Sequence, residues 1–101
     1  MPNLTSKERA HLRSLAHDLK PAAHIGKEGV TEGAVDALRE TFSTRELVKV
    51  RVLEAAPDDA RATARALADR IEGVVVVQTV GRNATLYRPD PDAAAARPPT
   101  R

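Results

Sequence analysis

A short segment with two glycines, a lysine and a hydroxyl residue has the residue types that favour anion binding. It reads Gly26-Lys27-Glu28-Gly29 and is followed by Thr31 at the predicted start of a helix. Glycine lacks a Cβ, so it permits positive φ and lets backbone amides approach another molecule closely. Thr31 is a favourable N-cap, and the amides that follow it lie at the positive end of the helix dipole. The segment therefore predicts a phosphate-binding loop in which Lys27 is the mobile cation.

The spacing of this segment differs from that of nucleotide-binding loops. A P-loop has the sequence G-x-x-x-x-G-K-[ST], in which the lysine follows the second glycine. Here Lys27 follows the first glycine, and Glu28 follows the lysine. The dinucleotide-binding sequence G-x-G-x-x-G is also excluded, because residue 24 is histidine. A phosphate bound here is expected to belong to a polymer backbone, and the alternative is an ordinary tight turn.

The first predicted helix carries a second group of basic residues. Thr5-x-x-Glu8 predicts a capping box at its start, and Pro21 predicts its end. At 100° per residue, four basic side chains share one flank beside an apolar stripe. They are Arg9, Arg13, His17 and Lys20. This pattern predicts a positively charged surface, with a solvent-exposed helix face as the alternative.

Length and composition limit the class of protein. The 101 residues suit one small domain with a thin core. The lack of cysteine excludes a disulfide scaffold or a cysteine-based zinc site. With no signal peptide and no long apolar segment, a cytoplasmic protein without membrane contact is expected. The net charge of +2 does not itself indicate a nucleic-acid partner, so the distribution of charge matters more.

Hydrophobic periodicity predicts a small α/β (α+β) domain with the element order αβαβαββ. Lys49 and Arg51 alternate with valines, as a half-buried strand requires. The segment from Val74 to Val80 is the most apolar strand, so it is expected at the centre of a four-stranded mixed sheet packed with three helices. The other expected elements are helices over about residues 6–20, 31–43 and 57–72, and strands over residues 22–25, 47–53 and 85–88.

The chain is expected to divide into a domain, residues 1–89, and a C-terminal tail, residues 90–101. The tail consists mainly of proline, alanine, aspartate and arginine. It has no periodicity that could form a core, so it is expected to be disordered.

Four segments, in order and at the expected separations, resemble the small bacterial YhbY-type proteins. These are the stand-alone form of the CRM (chloroplast RNA splicing and ribosome maturation) domain. The resemblance runs from about Leu4 to Pro89. The segments are Leu19-Lys20-Pro21, Ile25-Gly26-Lys27-x-Gly29-Val30-Thr31, Glu46-Leu47-Val48-Lys49-Val50-Arg51-Val52, and Val80-Gly81-Arg82 through to Leu86-Tyr87-Arg88-Pro89.

The resemblance implies an RNA-binding module with a fold similar to the C-terminal domain of translation initiation factor 3. Its Gly-x-x-Gly loop is similar in role to that of KH domains, which clamp a nucleic-acid backbone. The stand-alone members associate with precursors of the large ribosomal subunit, which implies an assembly factor that binds precursor rRNA, with ribosomal proteins as further partners. The expected RNA-binding residues are Gly26, Lys27, Glu28, Gly29, Thr31, Arg9, Arg13, His17, Lys20, Lys49, Arg51 and Arg82. Among them Glu28 would repel a phosphate, so it must point away or weaken binding.

Two other classes of function are compatible with the sequence. A small enzyme would have to use His11, His17 or His24 with a carboxylate such as Asp18. His11 and His17 lie about 120° apart on a helix, so they do not face a common metal. No Ser/His/Asp or paired-carboxylate arrangement is visible, so we expect a protein that is not an enzyme and needs no cofactor or metal. A monomer is expected as well. A protein–protein adaptor that uses a sheet edge or the tail is the other alternative.

Overall fold

Side-chain caps define where each helix begins in the computed structural model, which describes residues 5–89. Helix α1, Ser6–His17, starts with the predicted capping box, in which Thr5 and Glu8 each bond the other's backbone amide. Thr31 caps α2, Glu32–Phe42, as predicted. Asp59 caps α3, Ala60–Arg70, so this helix begins after the Pro57-Asp58-Asp59 segment that was expected to form its first turn.

Helix α1 ends earlier than the sequence predicted. Its last residue is His17, and Asp18 is the C-cap. The amides of Asp18 and Leu19 bond the carbonyls three residues before them, Leu15 and Ala16, which tightens the last turn. Lys20 therefore lies outside the helix and is not aligned on the flank that carries Arg9, Arg13 and His17.

The four strands form one mixed sheet with the order β1-β2-β4-β3. Strand β1, Ala23–Ile25, is parallel to β2, Leu47–Val52. Strand β4, Asn83–Tyr87, is antiparallel to β2 on one side and to β3, Val75–Val80, on the other. The element order αβαβαββ and the four-stranded mixed sheet with three helices are confirmed.

The expected central position of the most apolar strand is wrong. Strand β3 lies at the edge of the sheet, and β2 and β4 occupy its centre. The apolar sequence of β3 has another cause, because α3 contacts the strand and α1 contacts it too. Side chains on both faces of a strand can be buried by helices while one of its edges stays unpaired.

The main core lies between the sheet and the pair α2 and α3. Val48 and Val50 of β2 and Ala84 and Leu86 of β4 belong to it. Because side chains alternate along a strand, Lys49 and Arg51 of β2 point to the opposite face, where α1 contacts β2 and β3. The buried members of the core are Ile25, Val35, Leu38, Phe42, Val48, Val50, Ala64, Leu67, Ile71, Val74, Ala84 and Leu86.

Residues 1–4 and the expected tail, residues 90–101, lie outside the described residues. Within residues 5–89, none of the helices combines the length and the apolar character needed to cross a membrane. The domain boundary expected after residue 89 stays a prediction.

Candidate nucleic-acid interface

The Gly-x-x-Gly segment forms a tight turn directly after β1. The amide of Gly29 donates a hydrogen bond to the carbonyl of Gly26 at 2.9 Å. Lys27 and Glu28 occupy the two central positions of this four-residue turn, and both side chains are exposed. The two charged side chains thus project from the corner of a turn, where a ligand can reach them.

The two glycines have different structural roles. Gly29 has φ of +69°, and a Cβ on it would lie 3.0 Å from Cγ of Pro57. Gly26 is outside the positive-φ region, and a Cβ on it would lie 3.8 Å from Cδ1 of Leu53, an ordinary contact. The turn therefore requires glycine at position 29, whereas position 26 has the space and backbone geometry for a side chain.

Unpaired backbone amides follow one another along this segment. Thr31 satisfies the amide of Ala34 with its Oγ1 at 3.1 Å, and its carbonyl accepts from Val35 at 3.0 Å. The amides of Glu32 and Gly33, at the positive end of α2, make no hydrogen bond among residues 5–89. The same is true of the amides of Lys27 and Glu28. The segment therefore offers donors to an anion at two adjacent places, the turn and the helix terminus.

Two further connections reach the same end of the sheet as the turn. The amide of Leu53, directly after β2, donates to the carbonyl of Ile25 at 2.8 Å. The amide of Val52 donates to the carbonyl of Arg82, in the turn between β3 and β4, at 2.7 Å. Arg82 therefore lies at the end of the sheet that carries the glycine turn. Its guanidinium is 3.6 Å from the carboxylate of Glu54, so its charge is partly compensated.

Arg51 and Lys49 of β2 face the α1 side of the sheet, and His24 of β1 joins them. His24 is the register partner of Arg51, and both side chains are exposed. Lys49 lies further from the glycine turn, beside the buried Thr85 of β4, and is half-buried. From the sequence alone, His24 is a candidate only for an enzyme, because the partner of a three-residue strand is not visible in the local pattern. Its cross-strand neighbour shows that it belongs with the basic residues.

The basic residues of α1 divide into two kinds. Nη1 of Arg9 donates to the carbonyls of Val76 and Val77, at 3.1 and 2.8 Å, so its guanidinium is held against β3. Arg13 and His17 are exposed and make no hydrogen bond or ion pair within the described part of the chain. Of the predicted basic flank, Arg13 and His17 are the side chains within α1 that are open to a ligand.

Lys20 lies at the other end of the sheet. The amide of Ala22, just before β1, donates to the carbonyl of Lys49 at 2.8 Å, which places this connection beside the first half of β2. Lys20 and Arg45 line an open cleft there, together with Glu40 and hydroxyl residues after α2. The predicted set is therefore spread over the domain, and only part of it surrounds the glycine turn.

Charge is distributed unequally between the two sides of the sheet. Residues 6–24, which include α1, contain four lysines and arginines, two acids and three histidines. Helix α2 contains one arginine and three acids, and residues 58–72, which include α3, contain three arginines and four acids. With Lys49 and Arg51, the α1 side is the positive side of the domain, and a polyanion at the glycine turn would be attracted to that side.

The histidines do not gather into a metal site with other ligands. Among residues 5–89 there is no group of three or more histidine, cysteine, aspartate or glutamate side chains placed to hold a metal ion. His17 and His24 are exposed and lie instead on the side of the sheet that carries Arg13 and Arg51.

Comparison with known proteins identifies the family. The model of the CRS1/YhbY (CRM) domain matches residues 4–88. The chain is 38% identical to "Probable RNA-binding protein YqeI" of Bacillus subtilis, over 84% of this chain and 88% of that protein. It is 33% identical to a Haemophilus influenzae protein named "RNA-binding protein", over 97% of this chain and 98% of that protein. The solution structure of the hypothetical protein SAV1595 from Staphylococcus aureus has a TM-score of 0.73 and 36% identity, and the match covers 87% of this chain and 91% of that one. The chain therefore belongs to the CRS1/YhbY (CRM) domain family.

Proposed function

We propose that this protein binds RNA by holding a backbone phosphate at the glycine turn. The unpaired amides of Lys27, Glu28, Glu32 and Gly33 carry the proposal, because they offer donors at the turn and at the positive end of α2. The exposed ammonium group of Lys27 adds a charge that can follow the phosphate. The names of the relatives from B. subtilis and H. influenzae support RNA as the ligand.

The neighbouring strand and helix extend the contact. From the glycine turn the RNA backbone continues over Arg51 and His24 toward the exposed side of α1, where Arg13 and His17 lie. The opposite direction is less favourable, because Glu54, Asp58 and Asp59 follow β2 beside the turn. The distribution of charge therefore favours an RNA path from the turn toward α1 over a path past the acidic segment after β2.

Binding depends on the backbone and shape of the RNA rather than on stacking of its bases. Phe42 is 4% exposed and belongs to the core, and Tyr87 is half-buried within β4. The domain contains no other aromatic residue of the Phe, Tyr or Trp type. RNA-binding sheets stack bases on several exposed aromatic rings, and a single half-buried tyrosine does not provide such a platform. The expected sequence preference is therefore modest.

The RNA that we propose is precursor rRNA of the large ribosomal subunit, bound during assembly in the cytoplasm. The segments around the glycine turn, β2 and the β3–β4 hairpin resemble those of YhbY-type proteins. This resemblance supports precursor rRNA as the ligand. The protein acts as a monomer by binding, without catalysis, and ribosomal proteins near the bound rRNA are its further partners.

Two charge-removing variants test the proposed surface against a matched control. Lys27→Ala and Arg51→Ala each remove one expected phosphate contact, whereas Arg65→Ala removes one exposed charge from α3 on the other side of the sheet. Affinity for an in vitro transcript of large-subunit precursor rRNA is measured for each at fixed salt. The first two variants should lose about three- to tenfold, and Arg65→Ala less than twofold. Equal losses for all three variants would reject the proposed surface.

The ribosomal part of the proposal requires a separate measurement. The tagged protein is followed through a sucrose gradient of cell extract, before and after ribonuclease treatment. We expect it in the fractions of large-subunit precursors and expect ribonuclease to release it. Retention on protein partners after ribonuclease treatment would instead support the adaptor function.

A further inference from the structure

The contact between Arg9 and β3 joins two parts of the chain that are far apart in sequence. Arg9 lies in α1 and is half-buried, and its Nη1 donates to the carbonyls of Val76 and Val77, at 3.1 and 2.8 Å. Val76 and Val77 belong to β3, an edge strand of the sheet. A guanidinium whose Nη1 bonds two backbone carbonyls is engaged by the fold itself.

The strand is irregular at the point where Arg9 contacts it. Val76 pairs with Leu86 and Gln78 pairs with Thr85, so Val77 is an extra residue in β3 and forms a bulge. In a regular strand, successive carbonyls point in opposite directions across the strand, and one nitrogen cannot bond both. The bulge turns two successive carbonyls to the same side, and Arg9 occupies the position between them.

The free edge of β3, on the side away from β4, would be a hazard without protection. The segment from Val74 to Val80 contains five valines besides Gln78 and Thr79, and it has no charged residue or proline. Such segments readily pair with another strand when their edge is open. Val80, at the end of the strand, is 60% exposed.

We propose that Arg9 holds α1 against the bulge and thereby prevents the free edge of β3 from pairing with a strand of a second copy. The proposal reassigns Arg9 from the predicted RNA contacts to a role in the fold, and it does not depend on RNA binding. Arg13, one turn further along α1, is exposed and serves as the matched control, because its removal changes the net charge equally.

The test compares Arg9→Ala with Arg13→Ala in the full chain. The melting temperature of Arg9→Ala should fall by about 5 °C or more, since the variant leaves two carbonyls without their partner. Sedimentation velocity at increasing protein concentration should show self-association of this variant alone. Arg13→Ala should stay monomeric, with its melting temperature within about 2 °C of the unchanged protein.

Two more variants distinguish protection of the β3 edge from a general loss of stability. The Arg9→Ala/Val80→Lys double variant places a charge on the exposed edge, so it should be monomeric while its melting temperature remains low. If Arg9→Ala does not fold, Arg9→Lys is used, because one nitrogen already makes both bonds and an ammonium can replace it in part. An Arg9 variant that is monomeric, melts like the unchanged protein and loses RNA affinity as Arg13→Ala does would overturn the proposal.

Discussion

The two glycines of the turn have different structural roles. They are the same residue type in the sequence, and only their backbone conformations distinguish them. Gly29 adopts φ of +69° beside Pro57, whereas Gly26 does not adopt positive φ and has space for a Cβ. The sequence predicted a loop with freedom for both glycines. It could not show which one the fold needs, because that depends on the segment after β2.

This difference predicts unequal costs of substitution. Gly29→Ala should reduce the free energy of unfolding by about 1–3 kcal/mol, because alanine is strained at positive φ and its Cβ would press on Pro57. Gly26→Ala should change it by less than about 0.5 kcal/mol. Urea unfolding followed by circular dichroism measures both. Similar costs for the two variants would contradict the geometry described for the turn.

The carboxylate of Glu28 is expected to weaken RNA binding. It is exposed at the corner of the turn, next to the amides that we propose for phosphate binding. Glu28→Gln keeps the size of the side chain and removes the repulsion, so RNA affinity should rise by about two- to fivefold at low salt. A fluorescence anisotropy titration measures the change. If affinity falls instead, Glu28 accepts a hydrogen bond from the RNA, and the phosphate lies elsewhere on the turn.

Local signals were sufficient for the starts of α1 and α2, but not for the start of α3 or for the order of strands in the sheet. The capping box of Thr5 and Glu8 and the cap of Thr31 involve neighbours three residues apart, so the sequence predicted both correctly. The position of β3 was wrong, because strand order depends on pairing between distant segments. The role of Arg9 was missed for the same reason, since its carbonyl partners lie 67 and 68 residues away.

Thr31 caps α2 beside the backbone amides that we propose for phosphate binding. Thr31→Ala leaves the amide of Ala34 without its partner and should reduce the free energy of unfolding by about 1 kcal/mol. The freed amide adds a donor at the helix terminus, so RNA affinity of the folded variant should not fall by more than about twofold. Chemical unfolding and an RNA titration on the same sample distinguish the two effects. A large loss of affinity with unchanged stability would make Thr31 a direct RNA contact.

At the scale of the whole molecule, the sheet separates a positive side from a negative side. The α1 side carries Arg13, His17, Lys49, Arg51 and His24, and acids outnumber basic residues in α2 and in the segment that includes α3. The sequence predicted the basic residues of α1 and β2, but only the topology shows that they share one side. Lys20, at the other end of the sheet, was predicted with them and lies apart.

The phosphate contacts predict how affinity responds to salt. If about four to six phosphates are neutralised, the logarithm of affinity should fall with the logarithm of salt concentration with a slope of about −3 to −4 on single-stranded RNA. Lys27→Ala should make this slope shallower by about one contact, and Arg65→Ala should leave it unchanged. Anisotropy titrations over a series of potassium chloride concentrations provide the slopes. A slope near zero would rule out a phosphate-based interface.

Position 26 is the place to test whether the glycine turn holds a phosphate of the RNA, because the fold has space there for a side chain. RNA affinity is measured for Gly26→Ala, which adds only a Cβ, and Gly26→Asp, which adds a negative charge to the same place. Circular dichroism confirms that both variants are folded. We predict a loss of less than about threefold for alanine and more than about tenfold for aspartate, because the added charge repels the phosphate. If folded Gly26→Asp binds precursor rRNA as tightly as Gly26→Ala does, the turn does not hold a phosphate of the RNA.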